Sequence, residues 1–176
     1  MRFTETGLAG AFVIDLEPMS DERGLFARTF CAAEFATHGL PAAFVQCNTS
    51  FNARRGTLRG MHWQAEPRAE GKLVRCTQGA IYDVILDLRR GSRTYLSWKG
   101  YELSAANRRS LYAPPGFAHG FQALSDAAEV FYQMTESYAP ELGRGARWDD
   151  PAFRIDWPIK PPLISRRDAS FADWIA

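Results

Sequence analysis

The sequence predicts a mainly β protein, a sandwich or jelly-roll barrel with a few short helices. Three observations carry that reading. Short apolar runs recur along most of the chain, each bounded by Gly, Pro, Asn, Asp or Ser. Helix signals are confined to one early segment and the C-terminal end. No repeat, low-complexity tract or linker interrupts the 176 residues, so residues 1–176 are expected to form one domain with a substantial core.

The elements follow in order. Ala11 to Leu16 is an apolar N-terminal strand, and Leu25 to Phe30 alternates as a second. Ala32 to His38 reads as a short helix, with Glu34 near its start and His38-Gly39 before Pro41 as its stop. Ala43 to Asn48 returns to strand, and Asn52 to Gly56 is a turn. Lys72 to Thr77 and Ala80 to Leu88 flank Gln78-Gly79, which reads as a hairpin. Tyr95 to Leu103, Ser110 to Ala113, Gly120 to Leu124 and Glu129 to Tyr138 complete the strands. Trp157 to Pro162 is irregular, and Ser165 to Ile175 reads as a closing helix, with Ser165 and Asp168 at capping-box spacing.

Composition narrows the function classes. Lys plus Arg is 21 against 20 Asp plus Glu, a net charge of +1 that gives no footprint for nucleic acid or an anionic membrane. The lysines are Lys72, Lys99 and Lys160; the other basic residues are arginines, which suit bidentate grip on phosphate. No stretch approaches the roughly 20 apolar residues of a membrane helix, and no targeting segment is expected. Cys31, Cys47 and Cys76 lack the number and spacing of a disulfide framework or zinc site, which points to the cytoplasm. Cys47 and Cys76 lie in apolar runs and are expected in the core.

The chemistry gathers in Leu58-Arg59-Gly60-Met61-His62-Trp63-Gln64 and Gly71-Lys72-Leu73. A histidine and a lysine ten residues apart are expected on neighbouring strands of the barrel. A neutral imidazole takes a proton and an ammonium holds the negative charge left behind, a pairing suited to deprotonation beside a carbonyl. Gln46 and Asn48, two residues apart, share a strand face. Arg59 precedes His62 by three, which puts the two on opposite faces unless the strand bulges at Gly60.

Six phrases stand in order along the chain: Asp21-Glu22-Arg23-Gly24, Val45-Gln46-Cys47-Asn48, Leu58 to His62, Gly71 to Arg75, Pro115 to Phe121 and Trp148-Asp149-Asp150. Together they resemble the dTDP-4-dehydrorhamnose 3,5-epimerase family, over about Ala11 to Asp168. The resemblance implies a cupin-type jelly roll (a double-stranded β-helix barrel). It also implies cofactor-free, metal-free inversion of C3 and C5 beside the C4 ketone of a nucleotide-diphosphate-linked 4-keto-6-deoxy hexose. A homodimer in which each barrel receives a strand from its partner is implied as well.

By the same resemblance His62 is the general base and Asp168 the carboxylate that orients it. Lys72 faces the ketone oxygen, and Tyr132 is the acid on the other face of the sugar. Arg59 and His119 line the sugar site. Arg23, Gln46 and Asn48 match nucleotide or diphosphate contacts, Phe26 and Tyr138 are aromatic candidates for stacking on the base, and Arg167 is a basic residue beside Asp168. Each has a plain structural alternative: Asp168 as a helix cap, Tyr132 as a core residue, His119 as a turn residue. Two positions depart from the family pattern, Met19 where an aromatic is common and Arg28 where an acid is common. They bear on which nucleotide is taken and on how many carbons are inverted.

Three readings compete: a single-centre epimerase or one acting on a CDP- or GDP-linked sugar, a metal-dependent cupin using two imidazoles with Glu66 or Glu70, and a non-catalytic sugar-nucleotide binder.

Overall fold

The computed structural model describes residues 1–175. Its strands are β1 (Arg2–Glu5), β2 (Phe12–Asp15), β3 (Met19–Asp21), β4 (Gly24–Phe26), β5 (Gln46–Asn52), β6 (Thr57–Gln64), β7 (Lys72–Gln78), β8 (Ala80–Asp87), β9 (Trp98–Ser104), β10 (Ser110–Ala113), β11 (Phe117–Ala123), β12 (Ala128–Met134), β13 (Gly143–Gly145) and β14 (Leu163–Ile164). Two short helices are added, α1 (Ala32–Thr37) and α2 (Arg166–Ala169).

The strands form two main sheets. The first runs β1-β2-β10-β7-β12-β5; the second runs β13-β6-β11-β8-β9, with β14 alongside β6. β3 and β4 form a separate hairpin. This is the expected jelly roll, and alternation explains its layers. On β8, Ile81 and Ile85 join Val74, Leu111, Phe117 and Val130 in one core cluster, while Val84 and Leu86 join Trp157, Phe153 and Ile155 in another. β8 is covered on both faces, which is why its sequence is almost continuously apolar. α1 closes the outer face of the first sheet by packing Phe35 with Ile14, Leu73 and Tyr112. No helix among the described residues is long and apolar enough to cross a membrane.

Several expectations shift. Gln78-Gly79 is a turn, but β7 and β8 lie in different sheets, so it is a corner and not a hairpin. Gly79 is required there: it has φ +71°, and an added Cβ would also collide with the Ser125 hydroxyl. The strand expected over Leu25 to Phe30 ends at Phe26, and that expected from Ala43 begins at Gln46 and runs on to Asn52. Tyr95 to Ser97 is a turn through Leu96 at φ 61°. The last long strand stops at Met134, not Tyr138. The closing helix is confined to Arg166–Ala169. β1, β13 and β14, of four, three and two residues, are too short to show a period. Cys76 is buried as expected, but Cys47 is exposed, because it sits on the outward face of an edge strand.

Candidate active site

One end of the space between the sheets is filled by core. The other opens as a cleft of about 570 Å³. Ten of the twelve residues expected at the site line it: Gln46, Asn48, Arg59, His62, Lys72, His119, Tyr132, Tyr138, Arg167 and Asp168.

A bulge in β6 makes this possible. His119 of β11 pairs with His62, and Phe121 pairs with Arg59, so Gly60 and Met61 together oppose Gly120. The extra residue turns Arg59 and His62 to the same side while Leu58 and Met61 pack outward with Val84 and Trp157. His62 and Lys72 are not on neighbouring strands, as the spacing suggested. β6 and β7 belong to opposite sheets, and Lys72 Nζ reaches across to donate to the His62 carbonyl at 3.3 Å.

Asp168 arrives from the far end of the chain. β14 runs parallel to β6, and α2 follows it with Ser165 as N-cap, its hydroxyl accepting from the Asp168 N–H at 3.1 Å. The Asp168 carboxylate points the other way. It accepts from His62 Nε2 at 2.9 Å and from the Gly60 N–H at 3.3 Å. Cap and carboxylate partner therefore coexist in one residue. Burial pushes the Asp168 carboxyl up, but the His62 hydrogen bond and charge, the Gly60 N–H and the Arg167 charge outweigh it and hold it below the usual range. An ionised carboxylate only accepts, so His62 carries a proton on Nε2, and in the neutral imidazole the lone pair is then on Nδ1. The Phe171 ring stands edge-on to the imidazole, 6.1 Å away.

The opposite wall holds Lys72 and Tyr132, both in the first sheet. Lys72 is paired with Glu70 at 2.9 Å, with both side chains almost fully buried. Burial raises the Tyr132 phenol; the Arg59 charge opposes the rise and the Glu70 charge adds to it. A phenol so placed stays protonated at neutral pH. Phe131, its neighbour, points outward under the Arg75 guanidinium. Gln46 and Asn48 do share a face, with Gln46 Nε2 donating to Asn48 Oδ1 at 3.2 Å. Tyr138, about half exposed, is tied to them by its N–H donating to Gln46 Oε1 at 2.9 Å. Arg59 is braced by Asn52 Oδ1 at 2.8 Å, and its charge has no carboxylate partner among the described residues.

Arg23 and Phe26 lie elsewhere. Both sit on the β3–β4 hairpin, where Phe26 is 67 % exposed and Arg23 is ion-paired with Asp21. They line a separate shallow concavity with Met19 and Leu25. The Arg28 departure also has a local account, since its guanidinium bonds Glu34 at 2.7 Å, and Glu34 also holds the N-terminus.

Asp83 and Arg144 went unassigned in sequence, and Glu70 was considered there only as an acid of the metal-dependent alternative. Asp83 accepts from or shares a proton with His119 Nε2 at 2.7 Å, so His119 is a paired strand residue and not a turn residue. A lone acid alternating inward with Ile81 and Ile85 was the available signal. Glu70 is the Lys72 partner, and Arg144 lines the mouth from β13. The two cleft histidines are each committed to a separate carboxylate and Glu70 to Lys72, and Glu66 is exposed. Among the described residues no group of three or more His, Cys, Asp or Glu is placed to hold a metal ion.

The comparisons with known proteins agree with this arrangement. The family model for dTDP-4-dehydrorhamnose 3,5-epimerase matches residues 5–175. A protein of that name from Methanothermobacter thermautotrophicus is 49 % identical over 97 % of this chain and 92 % of its own. A Streptomyces niveus protein named dTDP-4-dehydrorhamnose 3-epimerase is 39 % identical over 96 % of this chain and 81 % of its own. The crystal structure of dTDP-4-dehydrorhamnose 3,5-epimerase from Bacillus anthracis, with TDP and PPi bound, superposes with a TM-score of 0.95 at 39 % identity, covering 98 % of this chain and 99 % of that one. A jelly roll whose cleft gathers residues of four of the six phrases, matched along almost its whole length at this identity, belongs to the dTDP-4-dehydrorhamnose 3,5-epimerase family.

Proposed function

We propose that this protein inverts C3 and C5 of a dTDP-linked 4-keto-6-deoxy hexose, turning the D-sugar into the L-sugar without a cofactor. The observation that carries the reading is the division of labour between the walls. His62 and Asp168 line the second-sheet side of the cleft, and Lys72 and Tyr132 the first-sheet side. A flat sugar ring between them would present one face to a base and the other to an acid.

In this reading His62 Nδ1 removes the proton from the carbon beside the ketone. The electron pair moves into the C4 oxygen as an enolate, held by the Lys72 ammonium, a donor of the kind whose loss costs about 3 kcal/mol of barrier stabilisation. The Tyr132 phenol then delivers a proton from the opposite face. Solvent restores the phenol and takes the proton from the imidazolium, so no electrons are gained or lost. Asp168 keeps the imidazole in the required tautomer and offsets the imidazolium charge. Arg59 and His119 line the sugar, Arg167, Gln46 and Asn48 supply donors for the diphosphate and base, and Tyr138 an aromatic face.

The site is completed in this reading by a second copy of the chain. Arg23 and Phe26 stand on a hairpin that exposes Met19 and Leu25 as well as Phe26, and β5 is an edge strand with Phe51 exposed on it and Val45 exposed just before it. An unpaired edge beside exposed apolar side chains is a surface for strand addition. Exchange of the hairpin in a homodimer would carry Arg23 and Phe26 to the partner's cleft.

A single-centre 3-epimerase is the second reading, favoured by the name of the Streptomyces niveus relative. Proton NMR of dTDP-4-keto-6-deoxyglucose with the protein in deuterated water decides between them. Loss of both the C3 and C5 signals is expected. Loss of C3 alone would make it a single-centre enzyme, and no loss would overturn the dTDP-sugar assignment.

A further inference from the structure

Glu70 lies just ahead of β7, in a segment held tightly against its neighbours. The Gly71 N–H donates to Thr135 Oγ1 at 2.7 Å, and a Cβ on Gly71 would come within 2.7 Å of the Tyr112 hydroxyl. Glu70 and Lys72 are two apart, so alternation turns them to one side. Glu70 is 6 % exposed and Lys72 9 %. Glu70 Oε1 accepts from Lys72 Nζ at 2.9 Å, while Oε2 is shielded from solvent without a partner.

A buried ion pair with an unsatisfied oxygen contributes little to stability, because desolvation of the charges offsets their attraction. Its consequence falls on the groups around it. The others lining the cleft are Arg59 and His62 from β6, Tyr132 from β12, His119 from β11, Arg144 from β13, and Arg167 and Asp168 from α2. The carboxylates behind the two imidazoles are already committed, Asp168 to His62 and Asp83 to His119. Glu70 is the carboxylate bonded to Lys72, and its charge is also felt by the Tyr132 phenol.

We propose that Glu70 is a positioning residue for the first-sheet wall: its buried carboxylate seats the Lys72 ammonium in the cleft. It acts through Lys72 and not on substrate. The proposal rests on the epimerase reading for its meaning, though its physical content, the seating of Lys72, stands apart from activity.

The test is Glu70→Gln, which keeps shape and a carbonyl acceptor for Lys72 while removing the charge. Glu70→Ala removes the acceptor too. Lysine Cε carbon-13 NMR of the substrate-free protein, assigned with Lys72→Arg, reads the seating of Lys72 directly. In Glu70→Gln the Lys72 Cε signal is expected to move from its wild-type position, with kcat for C3 and C5 exchange down about tenfold and KM changed by less than about threefold. Glu70→Ala should lose about a further tenfold in kcat. An unmoved Lys72 signal in a folded Glu70→Gln protein overturns the proposal whatever the activity. A wild-type protein that exchanges no C3 or C5 proton overturns the epimerase reading instead, and leaves the NMR result to stand by itself.

Discussion

Gly60 and Gly120 approach so closely across β6 and β11 that a Cβ on Gly60 would lie 2.5 Å from the Gly120 Cα. Gly60 also has φ +134°, a conformation that side-chain-bearing residues rarely adopt. This contact forms the bulge that puts Arg59 and His62 on one face. Gly60→Ala is therefore expected to cost more than about 2 kcal/mol of stability and to misalign both side chains. Urea unfolding and C3/C5 deuterium exchange check it. A variant with unchanged stability and exchange would mean that the bulge tolerates a side chain.

Asp168→Asn tests the tautomer argument. The asparagine carbonyl can still accept from the Gly60 N–H, but its amide would donate to His62 Nε2. The imidazole proton then belongs on Nδ1, and the proposed base has no lone pair toward the substrate. Exchange at C3 and C5 should fall ~10³–10⁴-fold, by analogy with other His–carboxylate pairs. His62→Ala should fall ~10²–10⁴-fold, with nucleotide-sugar binding by calorimetry largely retained. Asp168→Asn within tenfold of wild type would leave the carboxylate a purely structural role.

Much of this was legible in sequence because the motif residues sit on strands whose period is simple. Gln46 with Asn48 and Phe131 against Tyr132 followed directly from alternation. The jelly-roll class followed from the frequency of turn residues. The relation of His62 to Lys72 did not, because local spacing cannot say whether a chain turns back within one sheet or crosses to the other. The same ambiguity made Gln78-Gly79 read as a hairpin. The bulge was named as a condition for Arg59, and only the pairing of β6 with β11 could meet it. Asp83 and Arg144 escaped because a single charged residue in a strand carries no period, and the pairing of Glu70 with Lys72 escaped because Glu70 lies outside any strand, just ahead of β7. Arg23 belonged to the recognisable motif and Phe26 follows it closely, yet the fold of one chain leaves both outside its cleft.

Tyr132→Phe separates removal of a proton from its return. If the phenol is the acid on the far face, the variant should still exchange deuterium at C3 or C5 through His62. Inversion should slow by about tenfold or more relative to that exchange. Following both by NMR in deuterated water gives the ratio. Equal loss of exchange and inversion would remove the division between the two walls.

The hairpin argument is tested by charge. Met19→Glu with Phe26→Glu places carboxylates on two exposed apolar side chains of β3 and β4. The expected outcome is a monomer by sedimentation velocity, with weaker binding of dTDP and an intact circular dichroism spectrum. A stable dimer with unchanged dTDP affinity would place the interface, and the role of Phe26, elsewhere.

Asp87 gives a prediction that is independent of the cleft. It is fully buried at the end of β8. Its carboxylate accepts from the Arg89 side chain at 2.9 and 2.8 Å, from Ser92 Oγ at 2.6 Å and from Thr94 Oγ1 at 2.7 Å. Burial would raise its pKa, but these donors outweigh burial and bring it down to about 2 from 3.8. A carboxyl depressed on folding contributes stability that is fully present above about pH 3.8 and is lost as pH falls through about 2. The shift corresponds to about 2 kcal/mol at neutral pH. Asp87→Asn should be less stable by at least that amount at pH 7, and the gap should narrow by about 1 kcal/mol as pH falls from 5 to 3. Urea midpoints measured across that range read it directly. A gap constant with pH would assign the loss to geometry in the Arg89–Thr94 turn and not to the charge of Asp87.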